Sequence, residues 1–134
     1  MTDFSLAAIL ASAEVERFYS GMSVLVSSAV DGEPCAALAA FGALDLLLDD
    51  DLLRRAREPD ATPSLSWAGR ESFATSLVEL RDTALSLDAL SMYACSASVE
   101  TMALTDGAVA ERLAGVMSTP RFLRETAGAR LLHL

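Results

Sequence analysis

The chain has 134 residues, a length that suits one domain. Its hydrophobic fraction of 52% and mean hydropathy of +0.36 exclude a disordered chain, which lacks the apolar surface needed to offset the entropy of ordering. With 19 acidic against 10 basic residues the net charge is -9, so phosphate backbones are repelled and no nucleic-acid partner is expected.

The catalytic inventory is short. All 10 basic residues are arginine, which excludes a lysine Schiff base and a P-loop lysine. One histidine and two cysteines complete a zinc cage only with carboxylates or a second chain, so neither metal nor cofactor is expected. The longest apolar run, Cys35 to Leu44, is far shorter than the roughly 20 residues that cross a bilayer, and no membrane insertion is expected. Asp3 stands where a signal peptide carries positive charge, and Glu14 and Glu16 follow the short apolar stretch. These features lead to the expectation of a cytoplasmic protein.

The nearly continuous apolar run Phe4 to Ala11 predicts a first strand buried on both faces. From Glu14 onward, Val15, Phe18, Tyr19, Met22, Leu25, Val26, Ala29 and Val30 fall at steps of three and four, the spacing of one helix face, with Gly32 as its stop. Pro34 introduces a second strand, Cys35 to Phe41. Gly42 opens a second helix, in which Asp50 with Arg54 and Asp51 with Arg55 stand four apart as favourable pairs. The stretch 58–69 holds two prolines and the only tryptophan and reads as a long loop, with Trp67 anchoring it to the body, the favoured reading, or to a neighbouring subunit. Phe73, Leu77, Leu80, Ala84 and Leu87 predict a third helix over 71–86. A third strand follows at Ala89 to Ala94, then a short helical stretch from Val99 to Leu104 and a turn at Asp106-Gly107. A weaker strand from Arg112 to Val116, a helix entered at Pro120 and a last strand from Ala129 to Leu134 complete the chain. This alternation predicts a three-layer α/β/α domain on a mostly parallel sheet.

In open parallel sheets ligands bind beyond the carboxyl ends of the strands. That rule selects Ser12, Phe41-Gly42, Cys95 to Ser98 and Ser118-Thr119. Only Cys95 is a strong nucleophile. It lies where strand passes into helix, and the backbone N–H groups of Ser96, Ala97 and Ser98 favour a thiolate and suit an anion or the terminal sulfur of a persulfide. Ser12, Phe41 and Gly42 form a candidate rim. Cys35 opens one strand and Cys95 closes the next, about 20 Å away at roughly 3.3 Å per residue, so no internal disulfide is expected. Cys35 reads as core. Cys95 taken alone reads almost as well as a small buried hydrophobe, and only its placement favours the reactive reading. His133, near the end of the last strand, reads as a packing residue and has no part in the mechanism.

Three stretches carry a likeness to a known family: LAAILASAEVERFY from Leu6 to Tyr19, FGALDLLL from Phe41 to Leu48, and LSMYACSASVETMAL from Leu90 to Leu104. In these, and in the closing segment Phe122 to Leu134, the chain resembles the DsrE/DsrF-like sulfur-relay proteins, also labelled peroxiredoxin-like. The resemblance implies a flavodoxin-like five-stranded sheet and assembly into trimers or hexamers. It also implies Cys95 as the residue that accepts sulfur as a persulfide, with sulfur donor and acceptor proteins as partners. Two departures bear on those partners. The aromatic cluster before the glycine is reduced to Phe41, and a Pro/Ser loop replaces the lysine- and methionine-rich insertion of some relatives.

The first functional expectation is therefore a sulfur carrier or sulfurtransferase acting through Cys95. A second is a non-catalytic oligomeric module that binds an anionic ligand or a protein at the same edge. A third is a thiol peroxidase or reductase, which needs an external thiol because Cys35 is remote.

Overall fold

The computed structural model describes residues 3–134. In chain order the elements are β1 (Leu6–Leu10), α1 (Val15–Val30), β2 (Cys35–Ala39), α2 (Phe41–Leu48), α3 (Leu52–Arg57) and α4 (Trp67–Ser86). These are followed by β3 (Leu90–Cys95), α5 (Ser96–Thr101), α6 (Asp106–Ala110), β4 (Gly115–Met117), α7 (Thr119–Glu125) and β5 (Arg130–His133). The five strands form one all-parallel sheet in the order β4-β3-β2-β1-β5, a flavodoxin-like α/β arrangement.

Side chains alternate between the two faces of the sheet, as the pleat requires. Leu6, Ala8 and Leu10 of β1, Cys35, Ala37 and Ala39 of β2, and Leu90, Met92 and Ala94 of β3 pack under Phe18, Met22 and Leu25 of α1 and Leu77 of α4. The opposite face holds Ala7, Ala36, Leu38, Ala40, Cys95 and Met117 and is closed by Phe122 of α7. The two layers are thus unequal: most of the helical mass covers one face, and one short helix covers the other. Central β2 is buried along its whole length, which is why an alanine-rich segment of low strand propensity is a strand here.

Several boundaries differ from the sequence reading. Phe41 leaves the second strand and opens α2. The helix expected to run on from Gly42 through the arginines is broken after Leu48, where the backbone N–H of Asp51 donates to Asp49 Oδ1 at 2.8 Å. A local bond of this kind competes with the helical ladder. The break also changes the ion pairs. Arg54 meets Asp51 at 2.6 Å, Arg55 meets Asp45 at 2.7 Å, and Asp50 turns to Arg112.

The third helix starts at Trp67, four residues earlier than its apolar period suggests, because Ser66 caps it by accepting the N–H of Gly69 at 3.1 Å. Trp67 is 73% exposed and so is not packed onto the body. A short helix, α6, occupies the segment expected to be a turn, with Thr105 as its cap. The helix after β3 begins at Ser96 rather than Val99, and β4 lies a few residues later than expected. No helix of the described residues is long and apolar enough to cross a membrane.

Candidate functional site at the carboxyl rim of the sheet

The register brings four strand ends into line. Leu10 pairs with Ala39, Ala39 with Ala94, and Ala94 with Val116. One step further, Cys95 pairs with Met117, and the N–H of Ala40 bonds the carbonyl of Leu10 at 2.8 Å. The loops after β1 to β4 therefore leave the sheet from one edge.

Cys95 ends β3 and is the residue that precedes α5, with extended backbone angles of φ -66° and ψ 126°. Its side chain points to the face closed by Phe122 and is only 6% exposed. The neutral thiol makes no capping hydrogen bond. Burial pushes the Cys95 thiol up, while the N–H and hydroxyl of Ser98, the N–H of Ala97 and the hydroxyl of Thr119 favour the thiolate. The hydrogen-bonding groups together outweigh burial, and the thiol is held below its ordinary value. Such a balance is what separates a reactive cysteine from an inert buried one.

Ser98 is fully buried, and its Oγ accepts the backbone N–H of Phe41 at 3.0 Å. Phe41 has φ 45°, in the left-handed region, and is 51% exposed. A bulky residue there is a genuine outlier, with a cost on the order of 1–3 kcal/mol. The reason is local. Strand bonding persists to Ala40, yet the carbonyl of Ala40 already accepts the N–H of Ala43 at 3.1 Å, so the chain turns from strand to helix with Ala40 as the single connecting residue.

Gly42 follows, pressed against Ala13 so closely that an added Cβ would lie 2.5 Å from Ala13 Cβ. This contact fastens the β1–α1 loop to the start of α2. Ser12 lies in that loop, where its Oγ accepts the N–H of Glu14 at 3.0 Å. It lines a separate hollow of about 470 Å³ with Glu14, Arg55 and Asp60.

The structure thus gathers Cys95, Ala97, Ser98 and Phe41, with Gly42 buttressing the turn behind them. Ser96 is half-buried and Ala97 exposed. Ser96 is not among the groups that shift the Cys95 thiol. Ser12 belongs to the same edge but opens into the other hollow. The sequence places Ser98 and Thr119 at this edge but gives their hydroxyls no part in shifting the thiol. Thr119 follows β4 on the selected rim, and its position just after the capping residue Ser118 was the available signal.

Cys35 is fully buried on the opposite face and donates its S–H to the carbonyl of Glu33 at 3.2 Å. It pairs with Leu90, five residues before Cys95. Both cysteines are free. His133 is exposed on edge strand β5 and separated from β3 by β1 and β2, roughly 14 Å at the usual strand spacing. Among the described residues no three His, Cys, Asp or Glu side chains converge as metal ligands would. Compared with known proteins, the chain matches no family model and no curated relative.

Proposed function

We propose that the chain is an intracellular sulfur carrier of the DsrE/DsrF-like kind, with Cys95 as the residue that is loaded. The observation that carries this reading is the placement of Cys95 at the carboxyl end of β3, immediately before α5, where the neighbouring groups of Ser98, Ala97 and Thr119 hold the thiol below its ordinary value despite burial. The Cys95 thiolate attacks the outer sulfur of a donor persulfide, a new S–S bond forms, and the donor leaves as a thiolate. The outer sulfur then departs when an acceptor thiolate attacks it, which restores the Cys95 thiolate. Electrons balance within these two exchanges, and neither needs a base.

The narrow exposure of Cys95 selects slender partners, such as a cysteine on an extended tip. Sulfur donor and acceptor proteins are the proposed partners. Phe41 and Leu123 are large exposed apolar residues and suit association with further copies of the chain, in a trimer or hexamer.

The test is mass spectrometry of intact protein after incubation with a persulfide donor. A single sulfur adduct is expected on wild type and on Cys35→Ala, and none on Cys95→Ser. An adduct on Cys35, or none at all, overturns the reading.

A second reading has its own support, since a thiol 6% exposed is also what simple packing produces. In that case the edge serves as a binding module for an anionic ligand or a protein, and Cys95 reacts with a small alkylating agent no faster than a free thiol at neutral pH. The remoteness of Cys35 weighs against a peroxidase with an internal resolving cysteine.

A further inference from the structure

β3 begins before β4 reaches its side. Tyr93, Ala94 and Cys95 pair with Gly115, Val116 and Met117, whereas Leu90, Ser91 and Met92 have β2 on one side and no strand on the other. Residues 110–114 stand away from this bare edge and leave a hollow of about 350 Å³, walled on its other side by the end of α4.

Alternate residues of an inner strand aim their backbone groups at opposite neighbours. The Ala89 carbonyl accepts the N–H of Cys35 on β2 at 2.8 Å, and the Met92 carbonyl accepts the N–H of Ala114 at 2.8 Å. Leu90 and Met92 therefore face the hollow. The Leu90 N–H is turned away to the carbonyl of Leu87 at 3.2 Å. Two groups are left: among the described residues the Leu90 carbonyl and the Met92 N–H have no hydrogen-bond partner, although Leu90 is 6% and Met92 3% exposed. Backbone groups so enclosed are nearly always paired. A carbonyl and an N–H two residues apart are what one residue of a parallel neighbour binds, giving its N–H to the first and accepting from the second. The charge around the hollow is one-sided. Asp88 and Glu111 line it, both exposed, and among the described residues neither belongs to an ion pair, whereas Arg112 beside them is held by Asp50.

We propose that this notch binds an extended, basic peptide segment by strand addition: one residue abreast of Ser91 closes both backbone bonds, and arginine or lysine side chains flanking it meet Asp88 and Glu111. The proposal goes beyond the carrier reading and does not depend on Cys95. The segment leaves the edge after that residue, since Ala114 already occupies the Met92 carbonyl. Leu90 and Cys95 stand at opposite ends of β3, roughly 16 Å apart at the usual rise, so a protein moored here by a basic tail leaves the carboxyl rim free.

The probe is the peptide acetyl-Arg-Val-Arg-amide, titrated into the ¹⁵N-labelled full chain and followed by ¹H–¹⁵N correlation spectroscopy. The Met92 amide is expected to shift downfield and saturate as its N–H gains an acceptor. Methylating the valine nitrogen removes the N–H meant for Leu90 and is expected to weaken binding about tenfold. The double variant Asp88→Asn/Glu111→Gln, at exposed positions, is expected to weaken the arginine peptide several-fold and to leave acetyl-Gln-Val-Gln-amide unaffected. An unmoved Met92 amide, equal affinity for the methylated peptide, or an arginine peptide indifferent to the double variant overturns the proposal.

Hydrogen exchange of the full chain alone supplies a second check. The Met92 amide is expected to exchange far faster than that of Tyr93, which faces β2 in the ladder. Equal protection shows that residues 111–113 close onto the edge, and a Met92 shift that grows with protein concentration alone gives the notch to a second copy; either result overturns the proposal. None of these measurements involves Cys95, so the outcome of sulfur loading leaves them untouched.

Discussion

Gly42 and Ala13 approach until no side chain fits between them: a Cβ built on Gly42 would meet Ala13 Cβ at 2.5 Å and the Ala13 backbone nitrogen at 2.8 Å. Backbone cannot yield as a flexible side chain does, so the β1–α1 loop or the start of α2 has to move if the glycine is replaced. Gly42→Ala is expected to destabilise the fold by about 1–3 kcal/mol, the usual range for overpacking. Equilibrium urea unfolding measures this, and a loss below a few tenths of a kcal/mol shows that the two segments part freely.

Arg81 presents a different dependence. It is 6% exposed, and its Nη1 donates to the carbonyls of Leu46 at 3.0 Å and Asp49 at 2.6 Å, where α2 runs out of helical partners. Arg81→Met preserves much of the apolar stem and removes the donors, taking from the Asp49 carbonyl its guanidinium partner and leaving the Leu46 carbonyl with only the N–H of Asp49. The expected cost is about 1–3 kcal/mol, with faster hydrogen exchange confined to residues around that junction. Uniform acceleration across the sheet instead shows that Arg81 supports the whole fold rather than this break.

The same junction illustrates which parts of the structure were legible in the sequence. Strands and the long amphipathic helices follow from one-dimensional signals: β2 from its bounding Pro34 and buried alanines, α1 from apolar residues at steps of three and four. The break between α2 and α3 does not, because aspartates followed by arginines satisfy helical spacing equally well, and the outcome turns on the Asp51 N–H finding Asp49. The apolar run from Cys35 to Phe41 gives no sign of the turn that places Phe41 in α2 rather than β2. The bond that holds it comes from Ser98, far along the chain. For Cys95 the position at the strand end was legible, but its burial depends on Phe122, which arrives only after another strand has formed. Tertiary partners, rather than local propensity, decided each of these points.

Phe122 is therefore the residue through which stability and the candidate site meet. It is fully buried and is the aromatic anchor of the thinner layer, against Cys95, Met117 and Leu38. Phe122→Ala is expected to cost about 3–5 kcal/mol, and in chain that remains folded it should accelerate alkylation of Cys95 by a small uncharged reagent. The rate is to be measured with Cys35→Ala as background. A destabilised but folded variant whose Cys95 reacts no faster shows that access to the sulfur runs over the rim and not beneath α7.

The lowered thiol also leaves a signature in stability. Donors from Ala97, Ser98 and Thr119 exist only in the folded chain, so folded Cys95 loses its proton at a lower pH than unfolded Cys95. Between those two values the unfolded state binds more protons, and stability rises with pH. The contribution is complete above the ordinary thiol value and is lost as pH falls through the lowered, folded one. Urea midpoints of wild type and Cys95→Ala, compared in steps from neutral to mildly alkaline pH, isolate it because Cys35 and every other titrating group are common to both proteins. The difference should grow in favour of wild type and then level off. A difference that shrinks as pH rises means that burial outweighs the hydrogen bonds, with the folded thiol raised instead of lowered, and a sulfur so placed is a poor nucleophile at neutral pH.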